Sequence, residues 1–83
     1  MKLQTEIETR LTRAFTPSEL TVLNESQRHA GHSGDDGSGE SHFAIRIRAA
    51  SLAALPRLAR HRAVQAALGD INLRAHAIAL DIG

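Results

Sequence analysis

Residues 42–48 read His42-Phe43-Ala44-Ile45-Arg46-Ile47-Arg48. Phe43, Ile45 and Ile47 share one parity, and His42, Ala44, Arg46 and Arg48 share the other. That alternation is the signature of a half-buried strand, here with a basic outer face. Upstream, Leu20 to Glu25 reads as a short strand. Between the two strands lies Gln27 to Gly39, which holds four glycines, two aspartates and two serines. This composition predicts a flexible hairpin loop, long for its class, and long loops in compact domains are mostly functional or disordered. Further upstream, Leu3, Ile7, Leu11 and Phe15 recur every four residues and make one apolar helical stripe over residues 2–15. Thr16-Pro17 ends it, because a residue before proline is pushed out of the helical region. Downstream, Leu52 to Leu68 is rich in Ala, Leu and Arg and reads as helix interrupted at Pro56. Proline is best tolerated in a first helical turn. The expectation is therefore a short helical piece before Pro56, then a main helix to about Asp70 with Leu58, Val64, Ala67 and Leu68 buried. Ala75 to Ile82 alternates again, with His76, Ile78, Leu80 and Ile82 on one parity, and is the last strand. The order is helix, strand, strand, helix, helix, strand, an α+β domain spanning residues 1–83.

Eighty-three residues make one domain with a modest core. The apolar fraction is 42%, and Phe15 and Phe43 are its only aromatics, so the core is aliphatic. Ten Lys plus Arg against nine Asp plus Glu leave a net charge of +1, too little for a global field that gathers nucleic acid. With no cysteine, the chain can form no disulfide and no thiolate metal site of its own. The first ten residues, MKLQTEIETR, carry no apolar run, and no stretch approaches the roughly 20 apolar residues that span a bilayer. A cytoplasmic, soluble protein without a membrane partner is the expectation. No nucleophile, base and orienting group stand out together, so an enzyme is not expected.

The chain holds five histidines: His29, His32, His42, His61 and His76. Read alone, His76 is a strand histidine that hydrogen-bonds near a sheet edge, and His29 and His32 are solvated loop residues. His42 reads as structural or as part of a rim, and His61 as a surface or capping residue between Arg60 and Arg62.

Several short segments in fixed order change that reading. They are Asn24-Glu25-Ser26, His29-Ala30, Glu40-Ser41-His42-Phe43, Arg60-His61-Arg62-Ala63-Val64 and His76-Ala77. Their order and spacing over residues 10–82 resemble the BolA family. One departure is Leu52-Ala53-Ala54, which stands where the family usually has Phe-Glu-Gly. The resemblance implies a type II KH-like fold, a three-stranded mixed sheet with helices on one face. It also implies a partner, a monothiol glutaredoxin that shares a [2Fe-2S] cluster with the BolA protein. In such a pair the glutaredoxin gives a cysteine and a bound glutathione thiol. The BolA side gives the histidine of the final His-Ala segment and a loop histidine or cysteine. On this chain those positions are His76 and His29, with His32 a substitute for His29. The chain alone is expected to bind no cluster and to be a monomer or weak homodimer.

A second implication of the resemblance is a DNA-binding transcriptional regulator that uses the KH-like helix turn. Arg57, Arg60 and Arg62 then contact phosphate, or else a partner protein, with Arg74 as a further phosphate contact. A KH turn uses Gly-x-x-Gly, whereas Leu52 to Leu55 contains no glycine.

Overall fold

A computed structural model describes residues 2–26 and 41–83. Its elements are α1 (Leu3–Phe15), β1 (Glu19–Asn24), β2 (His42–Arg48), α2 (Ala50–Ala53), α3 (Arg57–Leu68), α4 (Ile71–Arg74) and β3 (Ala77–Ile82). The strands form one sheet in the order β1-β2-β3, with β1 antiparallel and β3 parallel to β2. This is the expected α+β architecture with a mixed sheet. The loop expected at Gln27 to Gly39 lies outside the described residues, and His29 and His32 with it.

Helices cover one sheet face. Leu3, Ile7 and Leu11 of α1 are buried, as the four-residue stripe requires. They share a core with Val22 of β1, Phe43, Ile45 and Ile47 of β2, Leu52 of α2, Val64 and Leu68 of α3, and Ile71 of α4. Each such side chain contributes about 1.5–3 kcal/mol by leaving water. Phe43 is the largest of the fully buried side chains, so one aromatic anchors an otherwise aliphatic interior. Ile78, Leu80 and Ile82 of β3 pack against this core half-buried, consistent with an edge strand. On the opposite face, Thr21, Leu23, Ala44, Arg46, Ala79 and Asp81 lie in cross-strand rows. Its arginines are paired: Arg46 with Glu19 and Asp81, and Arg48 with Asp81. The basic outer face read from β2 alone is thus neutralised by its neighbours.

Three expectations are corrected. Leu58 is 62% exposed rather than buried. It lies six residues before Val64, which at 3.6 residues per turn is about 240° round the helix and away from the Val64–Leu68 face. The main helix stops at Leu68, because Gly69 takes φ 54° and ψ −122° and turns the chain into a separate short helix, α4. The last strand begins at Ala77, so His76 precedes it instead of lying within it. At the end of α1, Thr16 caps with φ 45° and donates its N–H to Thr12 O at 3.0 Å.

α1 is clamped to the segment after α3 by charge. Arg10 donates to Leu68 O at 2.6 Å and to Asp70 at 2.7 Å, and Arg74 bonds both Glu6 and Asp70. The Arg74 guanidinium on Glu6 holds that carboxyl below its ordinary pKa, and Arg10, then Arg74, does the same to Asp70. Arg74, read as a further phosphate contact, is exposed and ion-paired with Glu6 and Asp70.

Candidate functional site

The sheet topology gathers three chain segments at one end. β1 runs antiparallel to β2, so its last residue, Asn24, pairs with Phe43, the second of β2, and parallel β3 starts at that same end, with Ala77 beside His42. Asn24 to Ser26, Ser41 to His42 and His76 to Ala77 therefore meet there.

Two buried serines tie these segments together. The Ser26 hydroxyl accepts the backbone N–H of Ser41 at 2.8 Å and of His42 at 3.1 Å. Ser26 N–H in turn donates to the Asn24 side-chain oxygen at 3.0 Å, closing a local turn of the kind asparagine favours. Ser41 carries the other half. Its carbonyl accepts from His76 N–H at 2.8 Å and from Ala77 N–H at 3.0 Å. Ser26 and Ser41 are 2% and 0% exposed, so both hydroxyls are committed to the fold. Asn24 and Ser26 of the Asn-x-Ser segment, with Ser41 and His42, thus have a physical meaning that sequence reasoning missed. They build the base from which the 27–40 connection leaves and returns, and they fix His76 by its backbone.

His76 is exposed, and His42 is half-buried. Their ring centroids lie 5.2 Å apart with planes inclined at 50°. The Ser41 hydroxyl bonds His42 Nδ1 at 2.8 Å, which fixes the orientation of that ring. Strand parity placed His42 outward and gave it only a structural or rim role. Its closeness to His76 depends on the parallel β2–β3 register, which no local pattern encodes. Among the described residues no group of three or more His, Cys, Asp or Glu side chains could hold a metal ion. At this end of the described residues two imidazole side chains, His42 and His76, lie close together.

The arginines divide. Arg60 donates to Leu55 O at 2.7 Å and to Ala53 O at 3.1 Å, so it closes the turn between α2 and α3. Arg57 and Arg62 are exposed on α3. His61 Nδ1 bonds Arg57 O at 3.2 Å within the helix, in line with a surface role.

The profile of the family described as BolA-like protein matches residues 11–82. A Sinorhizobium sp. protein described as "Uncharacterized protein in cobS 5'region" is 43% identical over 83 residues, covering 98% of this chain and 89% of its own. The "DNA-binding transcriptional regulator BolA" of Vibrio cholerae serotype O1 is 37% identical over 79 residues, covering 94% and 71%. Among solved structures, the BolA domain of SufE1 from Arabidopsis thaliana superposes with a TM-score of 0.78 at 31% identity. That match covers 95% of this chain and 87% of that one.

Proposed function

This chain belongs to the BolA-like protein family, and from that premise we propose that it is a non-enzymatic adaptor of the cytoplasm that shares a [2Fe-2S] cluster with a monothiol glutaredoxin and glutathione. The observation that carries the reading is His76, an exposed imidazole whose backbone is pinned to buried Ser41 in a chain without thiols. The donor set fits the group. Imidazole is a good iron ligand, and a chain without cysteine can join such a cluster only through nitrogen or oxygen. The thiolates then come from the partner. The cluster, when bound, supplies a redox centre whose potential rises as imidazole replaces thiolate.

His76 is the principal ligand in this reading, with His29 as the loop ligand and His32 as its substitute. Covalent geometry supports the loop assignment. His29 follows Ser26 by three residues, which limits their Cα separation to about 11 Å, and Ser26 sits on the same hydrogen-bonded base as His76. The test is reconstitution with a monothiol glutaredoxin and glutathione, read by visible absorption. Wild-type chain is expected to yield a coloured heterocomplex and the chain alone none.

The name of the Vibrio relative favours a second reading, a DNA-binding regulator. Arg57 and Arg62 are the α3 cations exposed for it, since Arg60 caps α2 and Arg74 pairs with Glu6 and Asp70. This reading expects affinity that falls steeply with salt and weakens in Arg57→Ala and Arg62→Ala. Binding indifferent to salt and to both substitutions removes it.

A further inference from the structure

β1 and β3 are the two edges of the sheet, and they differ. Glu25 N–H bonds His42 O, so by alternation along the strand Val22 turns its backbone groups away from β2. There Gln4 of α1 donates to Val22 O at 2.9 Å and closes that edge to an incoming strand. β3 carries none of the devices that keep an edge strand single. Ala77-Ile78-Ala79-Leu80-Asp81-Ile82 has no proline and no lysine, and its register on β2 runs without a bulge. Its one charge, Asp81, is taken up by Arg46 and Arg48. Ala77 N–H donates to Ser41 O and Gly83 N–H to Ile47 O, so Ala77, Ala79 and Asp81 are the residues that bond β2. The backbone groups of Ile78, Leu80 and Ile82 point to the outer edge. Their side chains are half-buried against the helix-covered core.

We propose that β3 pairs antiparallel with β3 of a second copy of this chain, centred on Leu80, so that the two sheets become one. The strand is complementary to itself in this register. Leu80 stands opposite Leu80 of the second copy, Ile78 opposite its Ile82, and Ile82 opposite its Ile78. Each of these pairs joins two outward-facing residues, so every outward N–H and C=O of the three finds a partner. The half-buried side chains of the same residues meet on the helix-covered face and complete one another's burial. On the bare face Asp81 falls opposite Ala79 of the second copy and not opposite its own counterpart, so no like charges meet directly across the pair. A single strand edge buries little area, which makes this dimer weak and concentration-dependent. His76 precedes the paired stretch, and the two copies carry it at opposite ends of the joined strands. The pairing therefore stands apart from the adaptor reading.

The experiment uses the full chain, by sedimentation velocity and amide hydrogen exchange from micromolar to millimolar concentration. Monomer is expected to pass to dimer as concentration rises. The amides of Ile78, Leu80 and Ile82 are expected to gain protection with it, while those of Ala79 and Asp81, already bonded to β2, do not change. Ala79 is exposed, so substitutions there spare the core. Ala79→Lys sets a lysine opposite Asp81 in both symmetry-related pairs and is expected to tighten the dimer. Ala79→Asp sets like charges there and is expected to weaken it, each by roughly 2- to 30-fold in Kd. A chain that stays monomeric at millimolar concentration, or a dimer indifferent to both substitutions, overturns the proposal. Protection of Ile78, Leu80 and Ile82 that comes only on adding a monothiol glutaredoxin gives the edge to that partner and overturns it as well. Dimerisation in this register with no coloured glutaredoxin complex removes the adaptor reading and leaves the strand pairing standing.

Discussion

The Ser26 hydroxyl accepts hydrogen bonds from two backbone N–H groups in a place closed to water. Ser26→Ala leaves Ser41 N–H and His42 N–H without that acceptor, and an unsatisfied buried donor costs about 1–3 kcal/mol. The expected result is an unfolding free energy lowered by that amount, read from a lower denaturant midpoint, with the amides of 41, 42 and 76 exchanging faster than those of α1. Equal exchange throughout contradicts the role given to Ser26. The residue scale was partly legible. His76 was marked by motif, and its exposure fits a ligand. His42 escaped, because a side chain's outward parity says nothing about which strand lies beside it. The local bonds of Arg60, read as a partner or phosphate contact, were not legible either. Its carbonyl acceptors at Ala53 and Leu55 exist only once the turn at Pro56 has folded back.

Two elements carry their own tests. Gly69 sits at φ 54° and ψ −122°, a region nearly closed to residues with a Cβ, although a Cβ there meets nothing closer than 3.5 Å. Gly69→Ala should therefore lose about 1–3 kcal/mol through backbone strain rather than through a clash, seen as a lower urea midpoint. A midpoint within error of wild type refutes the strained turn. The clamp between α1 and α4 responds to acid. Glu6 and Asp70 have depressed pKa values, with Arg74 the foremost cause at Glu6 and Arg10 at Asp70. A depressed folded-state pKa gives stability that is present above the unfolded value. It is lost as pH falls through the folded one, so the loss begins near the ordinary carboxylate range of about 4 and deepens below it. Glu6→Gln should flatten that acid limb while leaving the slope above pH 6 unchanged, as followed by urea denaturation across pH. An unaltered acid limb means the pair is not formed in solution. Long periodic elements were legible in the sequence: α1 from its four-residue stripe and β2 from its alternation. The segment after Leu68 was not, because α4 is a single turn with only Ile71 buried, too short for periodicity to register.

At the scale of the whole molecule, the sheet order decides where chemistry can occur. An antiparallel β1–β2 pair followed by a parallel β3 collects the end of one strand and the starts of two others. The connection over 27–40 and the His76 turn therefore leave from a common base. The α+β class and the helices on one face followed from patterning and from the family resemblance. The convergence of Ser26, Ser41, His42 and His76 needs long-range strand pairing, and a one-dimensional pattern does not contain it. The central claim is that this end presents His76 to a cluster completed by another protein's thiols. It is tested most directly by reconstituting His76→Ala with a monothiol glutaredoxin and glutathione and recording the visible spectrum. The expected result is loss of the shared-cluster absorption while the variant keeps its fold. An unchanged spectrum of a heterocomplex formed by His76→Ala contradicts it.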